Sequence, residues 1–352
     1  MLFSRSKGVI GLDIGSSSIK VLELKETKGG YSLQNIGIQP LPPEAIVDAA
    51  LMNSPVVVDV IRELISRLKL KTKDVVTSVS GHSVIIRKIT LPLMTEEEVE
   101  GNIQWEAEQY IPFDINDVNI DFQILQPDAH DQENLDVLLV AVKKDLIDDY
   151  TSVIMEAGLN PVIVDVDAFA VENMYCLNYP SAVGKVLALV NIGASIININ
   201  ILKDGTSTFT RDISIGGNQI TEEIQKQLNV SFEVAEAIKT GEITEGYDPA
   251  EIREIINSVS ASIALEIQRS LDFFTSTSMT GHISKVYASG GCAKTPGLTK
   301  VIEDQLGIPV EIVNPFNNIE INPKIFDTAY IEEIAPLCGV AVGLAWRRPG
   351  DK

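Results

Sequence analysis

Cysteine and basic residues are scarce in this sequence, and each shortage argues against a class of protein. The three cysteines, Cys176, Cys292 and Cys338, are an odd number without CxxC spacing, so neither a disulfide framework nor a zinc site is indicated. The 28 Lys and Arg against 49 Asp and Glu give a net charge of −21, which disfavours a nucleic-acid partner. A single nucleotide stays possible, because a local cradle of backbone N–H groups and a cation suffices.

Long hydrophobic runs are also missing. The apolar part of the first seven residues is too short for a signal peptide, and the next apolar stretch is interrupted by Asp13 and Gly15. There is no run of eighteen apolar residues for a membrane span, and residues 346–352, broken by Pro349, are too short for an amphipathic membrane helix. We therefore expect a cytoplasmic protein with reduced thiols and no direct membrane insertion, which reaches a membrane only through a partner.

One sequence pattern occurs twice in the chain. Residues 9–38 and residues 186–215 both show an apolar strand, a short polar loop, a second strand, a glycine turn and a third strand. Asp13 aligns with Asn191 and Gly15 with Gly193 at the same separation along the chain. With 352 residues, the chain is long enough for two lobes, and the repeat predicts that they are duplicated α/β units.

Residues 83 to about 145 have the pattern of an insertion in the first lobe. They predict a strand, a helix with a capping box formed by Thr95 and Glu98, and two further strands. A long helix is predicted from about residue 249 to residue 274. The expected division is a first lobe of residues 1–82, 146–180 and 335–352, an inserted subdomain of residues 83–145, and a second lobe of residues 181–334.

The polar loop of the first repeat has the composition of a phosphate-binding turn. A glycine permits close backbone approach, serines offer hydroxyl and N–H groups, a lysine neutralises charge, and an aspartate at the strand end can hold Mg2+ through water. These residues are Gly15, Ser16, Ser17, Ser18, Lys20 and Asp13. A hairpin turn with a solvated aspartate is the alternative interpretation.

The loop of the second repeat offers Gly193 and Ser195 to the same phosphates from the opposite side. Asn191 stands where an acid is expected. An amide holds a cation more weakly than a carboxylate and cannot accept a proton from water. We therefore expect nucleotide binding to survive this change more easily than hydrolysis, and at most a slow ATPase.

Three further groups are candidates for holding a nucleoside. Gly290 and Gly291 end a strand and permit a flat base to approach, and Thr295 and Pro296 are expected to begin the next helix, although an ordinary strand-to-helix turn explains them equally. The remaining two groups are Glu266, Arg269 and Ser270 on one face of the long helix, and Gly216, Gly217 and Asn218 at a helix start. A solvated or salt-bridged helix face is the alternative for these two.

Histidine contributes no recognisable catalytic pattern, since His82, His130 and His282 are scattered. Asp165 and Asp167 end a strand at the predicted junction of the lobes. Asp167 is the candidate for orienting an attacking water, with a structural or Mg2+-shell role as the alternative.

The order of three motifs resembles the phosphate and adenosine motifs of the actin, Hsp70 and hexokinase superfamily. They are GLDIGSSSIK (11–20), VNIGAS (190–195) and YASGGCAKTPGL (287–298). Within it, residues 87–94, 106–113, 121–125 and 268–274 resemble the PilM family of type IV pilus assembly proteins, relatives of FtsA. The resemblance implies an α/β, actin-like ATPase fold with two duplicated RNase H-like lobes and an inserted small α+β subdomain. It also implies bound ATP and Mg2+.

The same resemblance implies a partner. PilM proteins bind the N-terminal cytoplasmic peptide of the inner-membrane component PilN in a groove between the first lobe and the insertion, and other pilus machinery or ATPases are further candidates. We assign Tyr110, Ile111, Pro112 and Phe113 to this groove, although core packing explains them equally. An FtsA-like filament protein, a small-molecule kinase of the same fold and a related secretion-system subunit stay open as alternatives.

Overall fold

The computed structural model describes residues 8–125, 133–243, 245–278 and 281–351. The first half contains β1 (Ile10–Ile14), β2 (Ser18–Thr27), β3 (Gly30–Pro40), β4 (Ile46–Val47), β5 (Ala50–Leu51), α1 (Ser54–Leu68), β6 (Asp74–Val79), β7 (Val84–Pro92), α2 (Glu96–Ala107), β8 (Val118–Ile124), β9 (Asn134–Lys143), α3 (Lys144–Glu156), β10 (Asn160–Val166) and α4 (Asp167–Asn178). The second half contains β11 (Val186–Ile192), β12 (Ile197–Lys203), β13 (Thr206–Ile213), α5 (Gly217–Leu228), α6 (Phe232–Thr240), α7 (Pro249–Thr277), β14 (Ile283–Ser289), α8 (Leu298–Leu306), β15 (Val310–Ile312), β16 (Ile319–Glu320), α9 (Thr328–Ile334) and α10 (Gly339–Trp346).

The predicted repeat is present as two sheets with the same local topology. The first sheet has the order β10-β6-β1-β2-β3-β16 and the second has the order β13-β12-β11-β14-β15. In each sheet an antiparallel trio, β1-β2-β3 or β11-β12-β13, is followed by strands parallel to its first member. The β12–β13 turn uses Asp204 and Gly205, both with positive φ, which suits a two-residue hairpin.

The two sheets are joined through a tightly packed pair of helices, α4 and α10. A Cβ built on Gly343 of α10 would lie 1.7 Å from the carbonyl oxygen of Ala170 in α4, and one on Gly11 of β1 would lie 2.3 Å from the carbonyl oxygen of Ala341. Only glycine permits such close approach of backbones. The stretch Thr328–Trp346 is long and apolar enough to cross a membrane, but 61% of its apolar window is buried inside the protein, as in a core helix.

The insertion forms a separate three-stranded antiparallel sheet in the order β7-β9-β8, with α2 against it. The capping box is confirmed. The Thr95 hydroxyl accepts from the Glu98 N–H at 3.3 Å, and the Glu98 carboxylate accepts from the Thr95 N–H at 2.8 Å. This box fixes where α2 begins.

Two expectations from the sequence were wrong in detail. Thr295 does not cap α8, because residues 291–294 form a 3-10 turn and Gly297, with φ of 88°, precedes the helix start at Leu298. A left-handed residue at this position suits glycine, so the chain makes a further turn before the helix. In addition, β16 was placed in the second lobe by sequence but pairs with β3 in the first sheet.

Replacing Gly343 by alanine is expected to lower the free energy of unfolding by about 1–3 kcal/mol or more, because its new methyl group would overlap the Ala170 carbonyl. Denaturant or thermal unfolding measures the loss. Gly101→Ala is the matched control: this exposed glycine inside α2 has no heavy atom within 4 Å of a built Cβ. The control should gain about 0.5–1 kcal/mol from helix propensity, and equal effects at the two sites would contradict the close helix contact.

Candidate functional site

A cavity of about 420 Å3, called here the central cleft, opens between the turns of the two repeats. Its lining includes most of the residues predicted to hold a nucleotide, drawn from both halves of the chain. They are Asp13, Gly15, Ser16, Ser17, Ser18, Lys20, Asn191, Gly193, Gly217, Gly290 and Gly291, and the cleft is also lined by Asp167, the residue predicted to orient a water. The fold therefore brings together three motifs that are far apart in sequence.

The turn of the first repeat presents an ion pair to the cleft. Asp13 and Lys20 are directly opposite each other in the β1–β2 register, and Lys20 Nζ lies 3.1 Å from Asp13 Oδ2. Opposite charges at facing positions of an antiparallel pair attract each other. The Gly15 N–H donates to the Ser18 carbonyl at 3.2 Å and closes the turn.

The turn of the second repeat closes in the same way, with the Gly193 N–H donating to the Ile196 carbonyl at 3.0 Å. The start of α5 packs on this turn, because the N–H groups of Gly217 and Asn218 donate to the carbonyls of Gly193 and Ala194. The Asn218 amide donates to the Ser195 hydroxyl at 3.3 Å. Ser195, Gly216 and Asn218 do not line the cleft. These bonds place Ser195 and Asn218 in support of the turn, and Gly216 lies so close to it that a Cβ there would be 2.5 Å from the Gly193 carbonyl oxygen.

Asn191 makes hydrogen bonds within the protein through both its amide nitrogen and its carbonyl oxygen. Its amide donates to Asn198 at 2.9 Å, and its carbonyl oxygen accepts from the Ser289 hydroxyl at 3.2 Å. Asn198 in turn donates to Asp212 at 2.9 Å, and Asp212 accepts from the Gly81 N–H of the first half at 2.6 Å. Asn191 thus begins a chain of polar contacts that ends across the cleft. Burial raises the pKa of Asp212 in this chain.

Asp167 begins α4 and faces the cleft. Its carboxylate accepts from the Ser78 hydroxyl at 2.6 Å. Burial, followed by the nearby charge of Asp13, raises the pKa of Asp167 from 3.8 to about 6. Two carboxylates that repel each other in this way form an environment that a cation would stabilise.

The described residues contain no group of three or more His, Cys, Asp or Glu side chains that could hold a metal ion by themselves. Asp13 and Asp167 supply oxygen atoms, which Mg2+ prefers, but this ion also keeps waters and shares phosphate oxygens when it binds with a nucleotide. The donor set therefore fits Mg2+ bound together with a nucleotide better than Mg2+ alone.

Sequence reasoning missed a buried lysine in the cleft. Lys239 Nζ lies 2.6 Å from Glu236 Oε2 and 2.9 Å from the Thr221 hydroxyl, with its side chain 8% exposed. Glu236 and Lys239 are three residues apart on α6, among the apolar residues 234, 235, 237 and 238. That spacing was the signal available in the sequence.

Some predicted residues lie outside the cleft. The Ser270 side chain is buried in α7 and donates to the Glu266 carbonyl, while Glu266 and Arg269 form an ion pair with each other. None of these three lines the cleft, and Pro296 does not line it either, although Thr295 beside it does.

A second cavity of about 680 Å3, called here the edge groove, lies between the first sheet and the inserted sheet. The outer strands of those sheets, β8 and β10, form its long walls through residues 119–123 and 162–166. Residues 205–207 of the β12–β13 hairpin close one side, so all three parts of the fold contribute. Tyr110, Ile111, Pro112 and Phe113 do not line it: Ile111 is buried in the core of the insertion, and Phe113 lies under Lys143.

The edge groove is acidic. Asp121, Asp165, Glu172 and Asp351 line it, with Arg347 as the positive charge among its lining residues. Burial raises the pKa of Glu172 to about 7, although the Asn200 amide donates to its carboxylate at 2.9 Å. The groove therefore favours a neutral or positively charged ligand.

Comparison with known proteins gives consistent relatives. Residues 11–349 match the family model described as type IV pilus assembly protein PilM. A solved PilM-PilN type IV pilus biogenesis complex matches with a TM-score of 0.86 at 29% identity, covering 99% of this chain and 100% of that chain. MreB5 of Spiroplasma citri bound to AMPPNP matches with a TM-score of 0.51 at 15% identity, covering 94% and 98%. The cell division protein FtsA of Streptococcus pneumoniae is 22% identical over 374 residues, covering 92% of this chain and 79% of FtsA.

These similarities establish the fold. The chain has the mixed α/β architecture of the actin-like ATPases, as the three motifs predicted. MreB5 is 15% identical to this chain, so the similarity supports the shared fold. The AMPPNP in that structure is a property of MreB5.

Asp167→Asn is expected to raise the thermal midpoint of the nucleotide-free protein at neutral pH. Burial and the charge of Asp13 make the ionised Asp167 carboxylate unfavourable in the folded state, and the neutral amide removes that cost. The native carboxyl takes up a proton more readily than the unfolded one, so native stability recovers as the pH falls from about 6 to about 4. The gain of the variant should shrink over the same range. Thermal melts at a series of pH values measure both effects.

Asp272→Asn serves as the control, since this aspartate is exposed on α7. It should show the same midpoint as the native protein at every pH. An Asp167→Asn variant less stable than the native protein at neutral pH would mean that the Ser78 hydrogen bond outweighs the cost of burial.

Proposed function

Because the chain belongs to the PilM family of type IV pilus assembly proteins, we propose that it is a nucleotide-binding adaptor of pilus biogenesis. It holds the N-terminal cytoplasmic peptide of a PilN-like inner-membrane protein and so sits in the cytoplasm, peripheral to the inner membrane. The observation that carries this proposal is the edge groove, an elongated cavity between two sheet edges.

The walls of the edge groove suit an extended peptide. The outer edges of β8 and β10 carry backbone groups that a further strand can pair with. Apolar side chains line the groove beside these edges, Val162 and Val164 on β10 and Leu138, Val140 and Val142 on β9, the strand next to β8. Ile120 and Phe122 of β8 pack against the core of the insertion. A peptide strand between them would place alternate side chains against these walls.

Charge supports the same partner. Segments on the cytoplasmic side of a membrane span are enriched in Lys and Arg. The edge groove is acidic, and the whole chain carries a net charge of −21. Such complementarity speeds encounter and disfavours acidic competitors.

The central cleft is proposed to bind ATP with Mg2+. The Gly15–Ser18 turn and Gly193 would hold the phosphates, Lys20 would neutralise them, and Asp13 would face the Mg2+ ion through water. Gly290 and Gly291 would lie under the base. Mg2+ would supply charge neutralisation of the phosphates, and Glu236 and Lys239 offer polar groups at the far side of the cleft.

Turnover is proposed to be slow at most. Asn191 is committed to Asn198 and Ser289, and it has no basic oxygen to take a proton from water. Asp167 is the one proposed water-orienting residue. The nucleotide would then act mainly by bridging the two halves, which also meet through Gly81 and Asp212. Because residues 205–207 of the second half close the edge groove, a change in lobe closure would reshape it.

Lys20→Met is expected to weaken Mg2+-ATP binding by about tenfold or more, since one charge-assisted contact to phosphate is lost. Calorimetric titration measures the affinity. Lys25→Met, on the exposed end of the same strand, is the control and should leave it unchanged. Equal affinities for both variants would exclude the first turn as the phosphate site.

Val162→Glu is expected to weaken binding of the PilN-like N-terminal peptide by about tenfold, because it places a charge on an apolar wall of the groove. Val183→Glu introduces the same residue at an exposed position outside the groove and should have no effect. Fluorescence anisotropy with a labelled synthetic peptide measures both. Repeating the titration with and without Mg2+-ATP tests the coupling, which fails if the two affinities agree.

A further inference from the structure

The outer face of α2 presents a large aromatic side chain to solvent. Trp105 is 74% exposed, more than any other Phe, Tyr or Trp in the described part of the chain. It lies two positions from Ile103 and from Ala107, both buried against the inserted sheet, so it points to the opposite side of the helix. Tryptophan is highly buried on average, and it contributes strongly to interfaces. This side chain is therefore available for a contact with another molecule.

Gly101 lies one turn before Trp105 on the same face. No heavy atom comes within 4 Å of a Cβ built on it, so packing inside the described part of the chain does not require glycine here. Its backbone is helical and its φ is not positive, and alanine is more stable than glycine in that conformation. The missing side chain leaves a notch beside the indole, where another helix can approach closely.

Glutamates dominate α2, which has no Lys or Arg. They are Glu96, Glu97, Glu98, Glu100, Glu106 and, at the C-cap, Glu108. Glu97, Glu98 and Glu108 lie three or four positions from Gly101 or Trp105, so they share the outer face. Glu98 accepts from the Thr95 N–H in the capping box. Glu97 and Glu108 are exposed and have no ion-pair partner among the described residues.

We propose that this face, called here the α2 ridge (Glu97, Glu98, Gly101, Trp105 and Glu108), binds a basic helical segment of a further protein partner. An arginine of that segment would stack on the indole of Trp105, and neighbouring Arg or Lys side chains would pair with the flanking glutamates. Arginine suits this contact, because its guanidinium is planar, always charged and attracted to aromatic faces. The backbone of the segment would cross the helix at Gly101.

Charge complementarity selects this occupant over the alternatives. An anionic lipid surface would be repelled by the glutamates, and so would a second copy of this chain, whose net charge is −21. A neutral segment would bury the carboxylates without partners, which is unfavourable. A basic segment neutralises the carboxylates, and the indole attracts the same cations.

The α2 ridge is separate from both cavities. On β9, Val137 and Leu139 pack in the core of the insertion with α2, whereas Leu138 and Val140 line the edge groove on the other side of the sheet. No residue of α2 lines the edge groove or the central cleft. The inference therefore goes beyond the proposed peptide binding and does not depend on it.

The test titrates the full chain with a labelled, Ala-based helical peptide that carries Arg at every fourth position. The same peptide with Gln in place of Arg is the reference, and fluorescence anisotropy measures both affinities. The Arg peptide should bind about tenfold more tightly than the Gln peptide. Added salt should weaken its binding, because the contact is between exposed charges.

Two single variants locate the contact on the α2 ridge. Trp105→Ala should weaken binding of the Arg peptide about fivefold to tenfold, because the stacked indole is lost. Tyr330→Ala, which removes an exposed aromatic side chain from α9, is the control and should have no effect. Gly101→Ala should weaken binding about threefold or more by filling the notch, although it stabilises the helix. Loss of stability cannot produce that combination.

A double variant separates a local contact from general attraction to an acidic protein. Glu97→Gln with Glu108→Gln should weaken binding of the Arg peptide about tenfold. Glu251→Gln with Glu254→Gln on α7 changes the net charge equally and, like the first pair, alters one residue in a first helical turn. This control should lose less than about twofold.

Four results would overturn the inference. They are equal affinities for the Arg and Gln peptides, unchanged binding in Trp105→Ala, equal losses in the two double variants, and an α2 ridge occupied by something else. The last would appear as Trp105-dependent self-association of the chain in sedimentation, or as Trp105-dependent binding to phosphatidylglycerol vesicles. Failure of the PilN-like peptide to bind, with the Arg-peptide results intact, would instead refute the proposed function alone.

Discussion

The contact between α4 and α10 supports both candidate sites. At Gly343 the two helices approach until a single methyl group would overlap the Ala170 carbonyl. The start of α4 places Asp167 at the central cleft, while its middle places Asn173 at the edge groove. Just past the end of α10, Arg347 joins it there. Side chains of both candidate sites are therefore fixed by one interface with little freedom to shift, because close-packed helices move as a unit.

Local patterns carried most of the fold prediction. The two strand trios, the capping box at Thr95 and the hairpin at Asp204 and Gly205 depend on residues close in sequence, so their chemistry could be recognised directly. The start of α8 could not be predicted in this way. Thr295 and Pro296 have the composition of a helix start, yet Gly297 adopts the left-handed conformation that delays it. Thr295 and Pro296 favour a helix start and Gly297 favours a turn, and the sequence alone does not show which preference prevails.

Long-range contacts account for the rest. The side-chain partners of Asn191 come from two other strands, β12 and β14, so the sequence showed only that the residue differs from Asp13. Glu266 was assigned to the nucleotide from its helix face, but that face holds an ion pair outside the cleft. The edge groove is built from two strand edges and the end of α10. The ion pair of Asp165 and Arg347 in this groove could be recognised only after these elements were assembled.

The chain of hydrogen bonds from Asn191 through Asn198 to Asp212 has a consequence for divergence among relatives. The side chain at position 13 has its partner, Lys20, in the same hairpin, so the residue type there is constrained mainly by this neighbour and by the ligand of the cleft. Position 191 is tied to distant positions, so an exchange there leaves a donor or an acceptor unmatched unless 198 or 212 changes as well. The two turns would therefore diverge differently among relatives. The first turn would accept single substitutions, whereas the second would require simultaneous substitutions at several positions.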